Sequence, residues 1–162
     1  MKRMIKEGVP TITFREAPLD ETVLAQLIRL SRDWAAENIC YGYTANKRED
    51  IDGNRIFLAE EGGEIVGYLF GHAERAKTTT SVMPEGTVCF EVEELYVVPA
   101  RRSRGVGGAL FRFAEDAVRA EAEYIVLGTA TKNWRAILHF YLEELGMEFW
   151  SARLFKPLRS GE

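Results

Sequence analysis

Val97-Val98-Pro99-Ala100-Arg101-Arg102-Ser103-Arg104-Gly105-Val106-Gly107-Gly108-Ala109-Leu110 is the stretch of the chain that decides its fold. An apolar run typical of a β-strand ends at a proline, and three arginines follow within four residues. Three glycines within four residues come next, and an amphipathic helix begins there. The first N–H groups of a helix have no partner inside it, and the helix dipole gives them a partial positive charge. The stretch therefore predicts a strand, a turn and a helix whose start binds an anion such as phosphate.

Length and composition predict one globular domain over residues 1–162. The chain has 162 residues, 46% of them apolar and 28% charged, so it is long enough to bury a full core. It contains no apolar run of about 18 residues, and we expect no membrane span. Residues 1–8 lack the apolar stretch of a signal peptide, so we expect a cytoplasmic protein.

Net charge and cysteine content limit the kinds of ligand and metal site that we expect of this chain. A formal net charge of −4 and a pI near 5.4 argue against nucleic acid as the main partner, and they suit a cationic small molecule. The two cysteines, Cys40 and Cys89, form no CxxC pair, and no His/Cys cluster has the spacing of metal ligands. We therefore expect two reduced, structural thiols and no metal site.

Hydrophobic periodicity predicts the element order β α β β β α β α β. The predicted strands cover 11–15, 55–60, 65–73, 87–98, 124–128 and 147–155, and the predicted helices cover 21–38, which Asp20 can cap, 104–122, and a segment that Asn133 caps and Gly146 ends. The hairpins are antiparallel, and the strand–helix–strand unit in the middle predicts a right-handed parallel crossover. The fold class is α/β (α+β mixed), with a central mixed, mostly antiparallel, twisted sheet flanked by helices.

Two common phosphate motifs do not fit the glycine-rich turn. A dinucleotide fingerprint needs a third glycine where the chain has Leu110, and its strand opens a parallel series rather than following a hairpin. A P-loop ends in Gly-Lys-Ser/Thr, which Gly107-Gly108-Ala109 lacks. A structural strand–turn–helix without a ligand is the remaining alternative.

A third pattern does fit. Arg102-Ser103-Arg104-Gly105-Val106-Gly107 matches R/Q-x-x-G-x-G/A, and Leu95-Tyr96-Val97-Val98-Pro99 resembles the strand and proline that precede this motif in the GNAT superfamily of N-acetyltransferases. The order of elements is similar to that family along nearly the whole chain. The resemblance implies the GNAT fold, acetyl-CoA as cosubstrate, and transfer of its acetyl group to a primary amine.

The resemblance also implies a set of cofactor-binding residues. The pyrophosphate is implied to bind the backbone amides of Ser103, Arg104, Gly105, Val106, Gly107 and Gly108, with charge added by Arg102 and Arg104. The pantetheine arm is implied to lie along Leu95, Tyr96 and Val97 like an added strand. Asn133 matches an asparagine that contacts the cofactor, although a role as helix N-cap is sufficient to explain it.

The implied chemistry needs a base, because the amine is an ammonium ion at neutral pH. Counting back from Arg102, Glu91 falls where the histone-acetyltransferase branch has its glutamate, and Glu93 falls where the polyamine branch has one. Strand alternation puts both on the face of Leu95 and Val97, and Glu94 on the other face. Either can serve, and we prefer Glu93. Their proximity can raise the pKa of one of them.

The leaving thiolate needs an acid or a hydrogen-bond donor, for which Tyr141 is the candidate. It lies in Phe140-Tyr141 before Leu145-Gly146. Its spacings from Asn133 and to Gly146 are each one residue longer than the family pattern, and one residue turns a helical side chain by about 100°. Tyr96 is a poor substitute because alternation places it with Glu94. His72 and His139 have no visible nucleophile or metal partner.

The sequence thus predicts an acetyl-CoA-dependent N-acetyltransferase acting on a small-molecule or protein amine. A non-catalytic acyl-CoA-binding module and an acyltransferase using another acyl-CoA are the alternatives. Acidic residues near 85–94 favour a cationic acceptor, and the polar segment 46–53 is a candidate wall of its pocket. The resemblance also admits a homodimer formed through the last strands.

Overall fold

The structure is a computed structural model, and it describes residues 11–159. The strands are β1 (Ile12–Ala17), β2 (Arg55–Glu61), β3 (Glu64–Arg75), β4 (Val88–Val97) and β5 (Tyr124–Val126). The helices are α1 (Glu21–Glu37), α2 (Arg48–Ile51), α3 (Val106–Val118) and α4 (Trp134–Leu138), which continues into a π-helical stretch, His139–Glu144. A single 3₁₀ turn, Pro99–Arg101, lies between β4 and α3.

The five strands form one sheet in the order β1-β2-β3-β4-β5. The first four pair antiparallel, and β4 pairs parallel with β5 across the α3 crossover. The predicted mixed, mostly antiparallel sheet flanked by helices is therefore confirmed. The segment from β4 through the glycine-rich turn to α3 lies at the centre of this arrangement.

Each face of the sheet is covered by a helix. α1 begins at Asp20, whose Oδ1 accepts a hydrogen bond from the N–H of Val23 at 2.8 Å, as the capping pattern predicts. Its apolar side packs with Tyr68, Phe70 and Tyr96 on one face of the sheet. The apolar side of α3 packs on the other face, around Leu110 and Phe111. Both cores are built from alternate residues of the same strands, as the period of a strand requires.

The last predicted strand, 147–155, is not formed. Residues 147–157 have neither helix nor strand, and the large apolar side chains there are exposed: Phe149, Trp150, Leu154 and Phe155. A strand is stable only when a neighbour pairs with its backbone groups, and sequence pattern does not reveal whether a neighbour is present. Separately, none of the helices between residues 11 and 159 is long and apolar enough to cross a membrane.

Candidate active site

β4 contains a bulge at Glu93. Its register with β3 pairs Val92 with Gly71 and Glu94 with Phe70, so Glu93 is the extra residue. A Cβ atom on Gly71 would lie 2.1 Å from the carbonyl oxygen of Glu91, so only glycine allows this close approach of the two strands. The bulge exposes Glu93 in the middle of an otherwise well-covered strand.

The bulge corrects the predicted facing of the glutamates. Apolar residues on both sides of it pack in the core beneath α3: Phe90, Val92, Leu95 and Val97. Glu91, Glu93 and Glu94 therefore lie on the opposite face, towards α1 and α2. The prediction that Glu91 and Glu93 share a face with Leu95 and Val97 is wrong, because alternation holds only in an unbulged strand. Glu94 does lie on the face opposite Leu95 and Val97, as predicted.

β4 and β5 separate beyond the bulge. They pair only between Cys89–Glu91 and Tyr124–Val126, which leaves the edge of β4 from 92 to 97 without a strand partner on that side. The chain after β5 pairs instead with the segment that follows α1, where the N–H of Tyr41 donates to the carbonyl of Ala130 at 2.9 Å. On that side the backbone groups of Leu95, Tyr96 and Val97, the residues predicted to hold the pantetheine arm, therefore have no partner strand within residues 11–159.

The turn before α3 presents six consecutive backbone N–H groups. Within residues 11–159, no N–H group from 103 to 108 makes a hydrogen bond of good length and angle to another protein group, and the first helical bond is that of Ala109 to Gly105. Ser103 and Gly105 have φ values of +61° and +79°, in the left-handed region. Left-handed residues that alternate with other conformations curve the backbone into a concavity that binds anions. The left-handed conformation is strained at Ser103, which is not a glycine, and strain of this kind is typical of functional sites.

Gly107 has room for a larger side chain at its Cβ position. A Cβ atom on Gly107 would meet only ordinary contacts, 3.6 Å from Phe140 and from Val97. Packing within the protein therefore does not demand glycine at this position. A ligand that approaches the backbone closely would demand it.

The arginines of the turn have different surroundings. Arg102 donates through both Nη atoms to the Glu37 carboxylate and through Nε to the Val97 carbonyl, at 2.9 Å. Arg101 forms an ion pair with Glu61. Arg104 is exposed and has no ion pair with any residue from 11 to 159. Of the two arginines predicted to add charge for a phosphate, Arg104 is the one whose guanidinium is uncommitted.

Asn133 occupies the N-cap position of α4, but its side chain makes no capping hydrogen bond. Its backbone fills that role, since the N–H of Ile137 donates to the Asn133 carbonyl at 3.2 Å. The predicted side-chain cap is therefore wrong, because no N–H group of the first turn donates to the Asn133 side chain. The side chain stays available to a ligand, and its cofactor contact remains a prediction.

Glu93 lines an open pocket of about 290 Å³ between the bulge and α2. The pocket wall carries carboxylates and two other polar side chains: Glu49, Asp50, Asp52, Glu93, Asn54 and His72. Among the described residues, no group of three or more acidic, histidine or cysteine side chains is arranged to hold a metal ion. The segment 46–53, predicted as a wall of the acceptor pocket, contributes three of the four carboxylates.

Glu91 faces a different pocket, of about 250 Å³, whose wall includes Glu74, Lys77 and Trp150. Burial raises the pKa of Glu91, the neighbouring charges of Glu93 and Glu74 add to this, and His72 opposes it. The predicted rise in the pKa of one of the two carboxyl groups thus falls on Glu91. The two candidate bases are neighbours along β4 but open into separate pockets.

Glu94 is the centre of a hydrogen-bond network. Its Oε1 accepts from the Tyr43 hydroxyl at 2.8 Å, and from the Asn46 amide and the Tyr68 hydroxyl at 2.9 Å each. The N–H of Asn46 also donates to Ser31 Oγ in α1, at 2.9 Å. These bonds tie the loop between α1 and α2 to the strand residue next to Glu93. The position of the acidic pocket wall relative to the bulge therefore depends on Glu94.

Tyr141 lies in the π-helical stretch. The N–H of Leu145 donates to the carbonyl of Phe140, five residues earlier, so this turn holds one residue more than an α-helical turn. This turn can hold the extra residue between Tyr141 and Gly146, one of the two by which the spacing exceeds the family pattern. The ring packs against Phe111 and Phe140, and its hydroxyl has no protein hydrogen bond within 11–159 yet is not fully buried. Burial raises the pKa of Tyr141 to about 12, so the group stays protonated.

Comparison with protein families decides the relationship. The model of the acetyltransferase (GNAT) family matches residues 23–147, more than half of the chain. The chain belongs to the GNAT acetyltransferase family. A comparison with curated protein sequences finds no match.

Solved structures share this GNAT fold at low sequence identity. An aminoglycoside acetyltransferase from an uncultured soil metagenomic sample is 20% identical with a TM-score of 0.66, covering 92% of this chain and 99% of that chain. A transcriptional regulator from Bacillus halodurans C-125 is 23% identical with a TM-score of 0.67, covering 91% and 100%. An aminoglycoside N-acetyltransferase in complex with CoA is 18% identical with a TM-score of 0.62, covering 91% and 100%. Identities this low show the fold alone.

The GNAT motif identified the turn, but the sequence did not identify three residues of the site around the bulge: Glu94, His72 and Asn54. Glu94 carried a signal, since three glutamates within four residues of a buried strand are unusual. His72 and Asn54 carried none, because their contact crosses from β3 to the loop after α2. Only the bulge and the register bring them to Glu93.

Proposed function

We propose that this GNAT chain transfers the acetyl group of acetyl-CoA to a primary amine. The observation that carries the proposal is the combination of six unpaired N–H groups at the start of α3 with the open edge of β4 beside them. An anion bound at the turn places the remainder of an extended molecule along that edge. The same edge leads to Glu93, the exposed carboxylate at the bulge.

Within this proposal the backbone from Ser103 to Gly108 binds the pyrophosphate. Oriented N–H groups at a helix start need little reorganisation when an anion arrives. Arg104 adds charge through its uncommitted side chain, and Arg102 holds the turn against Glu37. Leu95, Tyr96 and Val97 offer their backbone to the pantetheine arm, with the Val97 carbonyl already accepting from Arg102. Asn133 contacts the cosubstrate from the start of α4.

Glu93 takes a proton from the acceptor ammonium in the proposed reaction. The amine nitrogen then forms a bond to the thioester carbonyl carbon, and the bond from that carbon to sulfur breaks. Tyr141 donates a hydrogen bond to the departing thiolate. Because its pKa near 12 lies above the usual pKa of a thiol, about 8.5, Tyr141 stabilises the thiolate rather than protonating it fully. The nitrogen loses a second proton as the amide forms. Of the two protons that leave the ammonium group, one reaches the thiolate and the other is released to the solvent.

The pocket beside Glu93 favours a cationic acceptor. Three carboxylates from α2 and the following turn face it together with Glu93. An acceptor with a second ammonium group would gain from this negative field. Two of the structural neighbours named above are aminoglycoside acetyltransferases, which is consistent with an acceptor of this class.

Two measurements test the proposed function. Isothermal titration calorimetry with acetyl-CoA should show binding that Gly107→Asp abolishes, and a thiol-release screen over polyamines, aminoglycosides and lysine peptides should give turnover. Binding without turnover on any amine would favour a non-catalytic acyl-CoA module. Turnover only with another acyl-CoA would change the donor, and no binding at all would refute the proposal.

A further inference from the structure

The surroundings of His72, on β3, indicate a role for this residue in the proposed function, on which the inference rests. In the strand register His72 lies opposite Glu91, and its ring reaches towards the bulge. Nδ1 lies 3.2 Å from Oδ1 of Asn54 and 3.5 Å from Oε1 of Glu93. Nε2 lies on the other side of the ring, 3.9 Å from Oε2 of Glu74. The two ring nitrogens therefore have distinct surroundings.

Asn54 determines which ring nitrogen of His72 carries the proton. The Asn54 Nδ2 donates to the backbone carbonyls of Ile51 at 3.0 Å and Asp50 at 3.3 Å. These two bonds fix the orientation of the amide, so its oxygen faces the imidazole. An amide oxygen only accepts hydrogen bonds, which requires a proton on Nδ1 of His72. In the neutral ring Nε2 then carries the lone pair.

The same Nδ1 is also the ring nitrogen near the Glu93 carboxylate. A distance of 3.5 Å is long for a hydrogen bond, but catalytic contacts are often long in structures without substrate and shorten in the complex. The nitrogen that carries the proton is thus the one beside the carboxylate proposed as the base. The acceptor side points away, towards Glu74.

We propose that His72 is a positioning residue for Glu93, whose Nδ1–H, fixed by Asn54, orients the Glu93 carboxylate and stabilises its ionised form. His72 itself does not take the proton of the acceptor. A donor of this kind on the neighbouring strand acts on the direction and the basicity of the carboxylate. The charged groups that face the ring are Glu74 on its own strand, Glu91 and Glu93 on β4, and Asp50 and Asp52 beside Asn54.

Three variants of His72 separate positioning from general structural support. In His72→Asn the side-chain NH₂ stands near the place of Nδ1, and in His72→Gln it stands near the place of Nε2. His72→Leu removes both groups. We expect kcat for thiol release to fall about 10-fold in the Leu and Gln variants, and the Asn variant to recover most of this loss. A 10-fold loss is a part of the roughly 10²–10⁴-fold acceleration that a general base contributes.

The pH profile supplies a readout that loss of folding would not move. Removing a donor from a carboxylate favours its protonated form, so the pKa of that carboxylate rises. The acid limb of kcat/KM should therefore move to higher pH in His72→Leu and return towards the wild-type position in His72→Asn. The Kd for acetyl-CoA should be unchanged in all three. Glu74→Gln, which removes the charge facing Nε2 and leaves Nδ1, Asn54 and Glu93 in place, should leave kcat within about twofold of wild type.

The outcomes distinguish the role of His72 from the proposed function. If wild-type protein releases thiol and His72→Asn is as impaired as His72→Leu, or if the acid limb does not move, the positioning role is refuted while acetyl transfer stands. If His72→Gln recovers activity and His72→Asn does not, Nε2 is the functional nitrogen and the proposal is also refuted. Absence of thiol release from the wild type would refute the proposed function instead.

Discussion

The two carboxylates near the bulge of β4 have different environments, which makes their roles separable. Glu93 is the more exposed and lies beside the acidic pocket, whereas burial and neighbouring charges raise the pKa of Glu91. Glu93→Gln should lower kcat for thiol release by about 10²–10⁴ because it removes the base while keeping the side-chain shape. Glu91→Gln, the matched control, should lower it by less than about 10-fold. The reverse order would assign the base to Glu91.

The pH dependence of stability should report on Glu94. Burial raises the pKa of this carboxyl, and hydrogen bonds from Tyr43, Asn46 and Tyr68 oppose the rise. A carboxyl group whose pKa is higher in the folded than in the unfolded protein stabilises the fold when it is protonated. This stabilisation is complete below the ordinary glutamate pKa, about 4.3. It is lost as the pH rises through the pKa that the group has in the folded protein. Glu94→Gln keeps an oxygen for the three donors and does not titrate.

The Tm of Glu94→Gln relative to wild type should therefore increase between about pH 4 and pH 7, as measured by calorimetric unfolding. The exposed residue Glu64 provides a control, and Glu64→Gln should show no such trend. A relative Tm that decreases with pH would mean that the three donors outweigh burial. The carboxyl would then be held ionised in the folded protein.

At the scale of elements, the turn before α3 combines a left-handed backbone with its proposed role in binding acetyl-CoA. Gly105 has φ +79° and open space where a Cβ would lie, and Gly63 in the β2–β3 turn has φ +82° and equal space. Alanine at either position should cost about 1–2 kcal/mol, or roughly 2–8 °C in Tm. Only Gly105→Ala should also weaken acetyl-CoA binding in calorimetry, by about 10-fold or more. Equal Kd values in both variants would remove the turn from the binding site.

The elements that could be predicted from the sequence are those whose signal is local. The motif from Arg102 to Gly107 predicted the turn and α3, and Asp20 predicted the start of α1, because turns and caps depend on neighbouring residues. The bulge at Glu93 and the π-helical turn around Tyr141 could not be predicted, since each depends on contacts between distant segments. For the same reason the contact of His72 with Glu93 is found only in the folded chain.

At the scale of the whole molecule, the exposed apolar segment after residue 147 bears on assembly. Trp150 and Phe155 are 50% and 74% exposed, and β5 is a short edge strand. Exposed apolar groups of this kind often mark a protein interface, which supports the expected homodimer. Light scattering should give the mass of a dimer for the wild type and a monomer for Trp150→Ser/Phe155→Ser. A monomeric wild type would contradict the homodimer, and a dimeric variant would place any interface elsewhere.

The direct test of the central claim is the mass of an amine acceptor after incubation with acetyl-CoA and this protein. We predict that a polyamine or an aminoglycoside gains one acetyl group in step with release of free thiol, and that Glu93→Gln nearly abolishes the gain. An unmodified acceptor across the whole amine panel, with acetyl-CoA bound at the turn before α3, would contradict the claim.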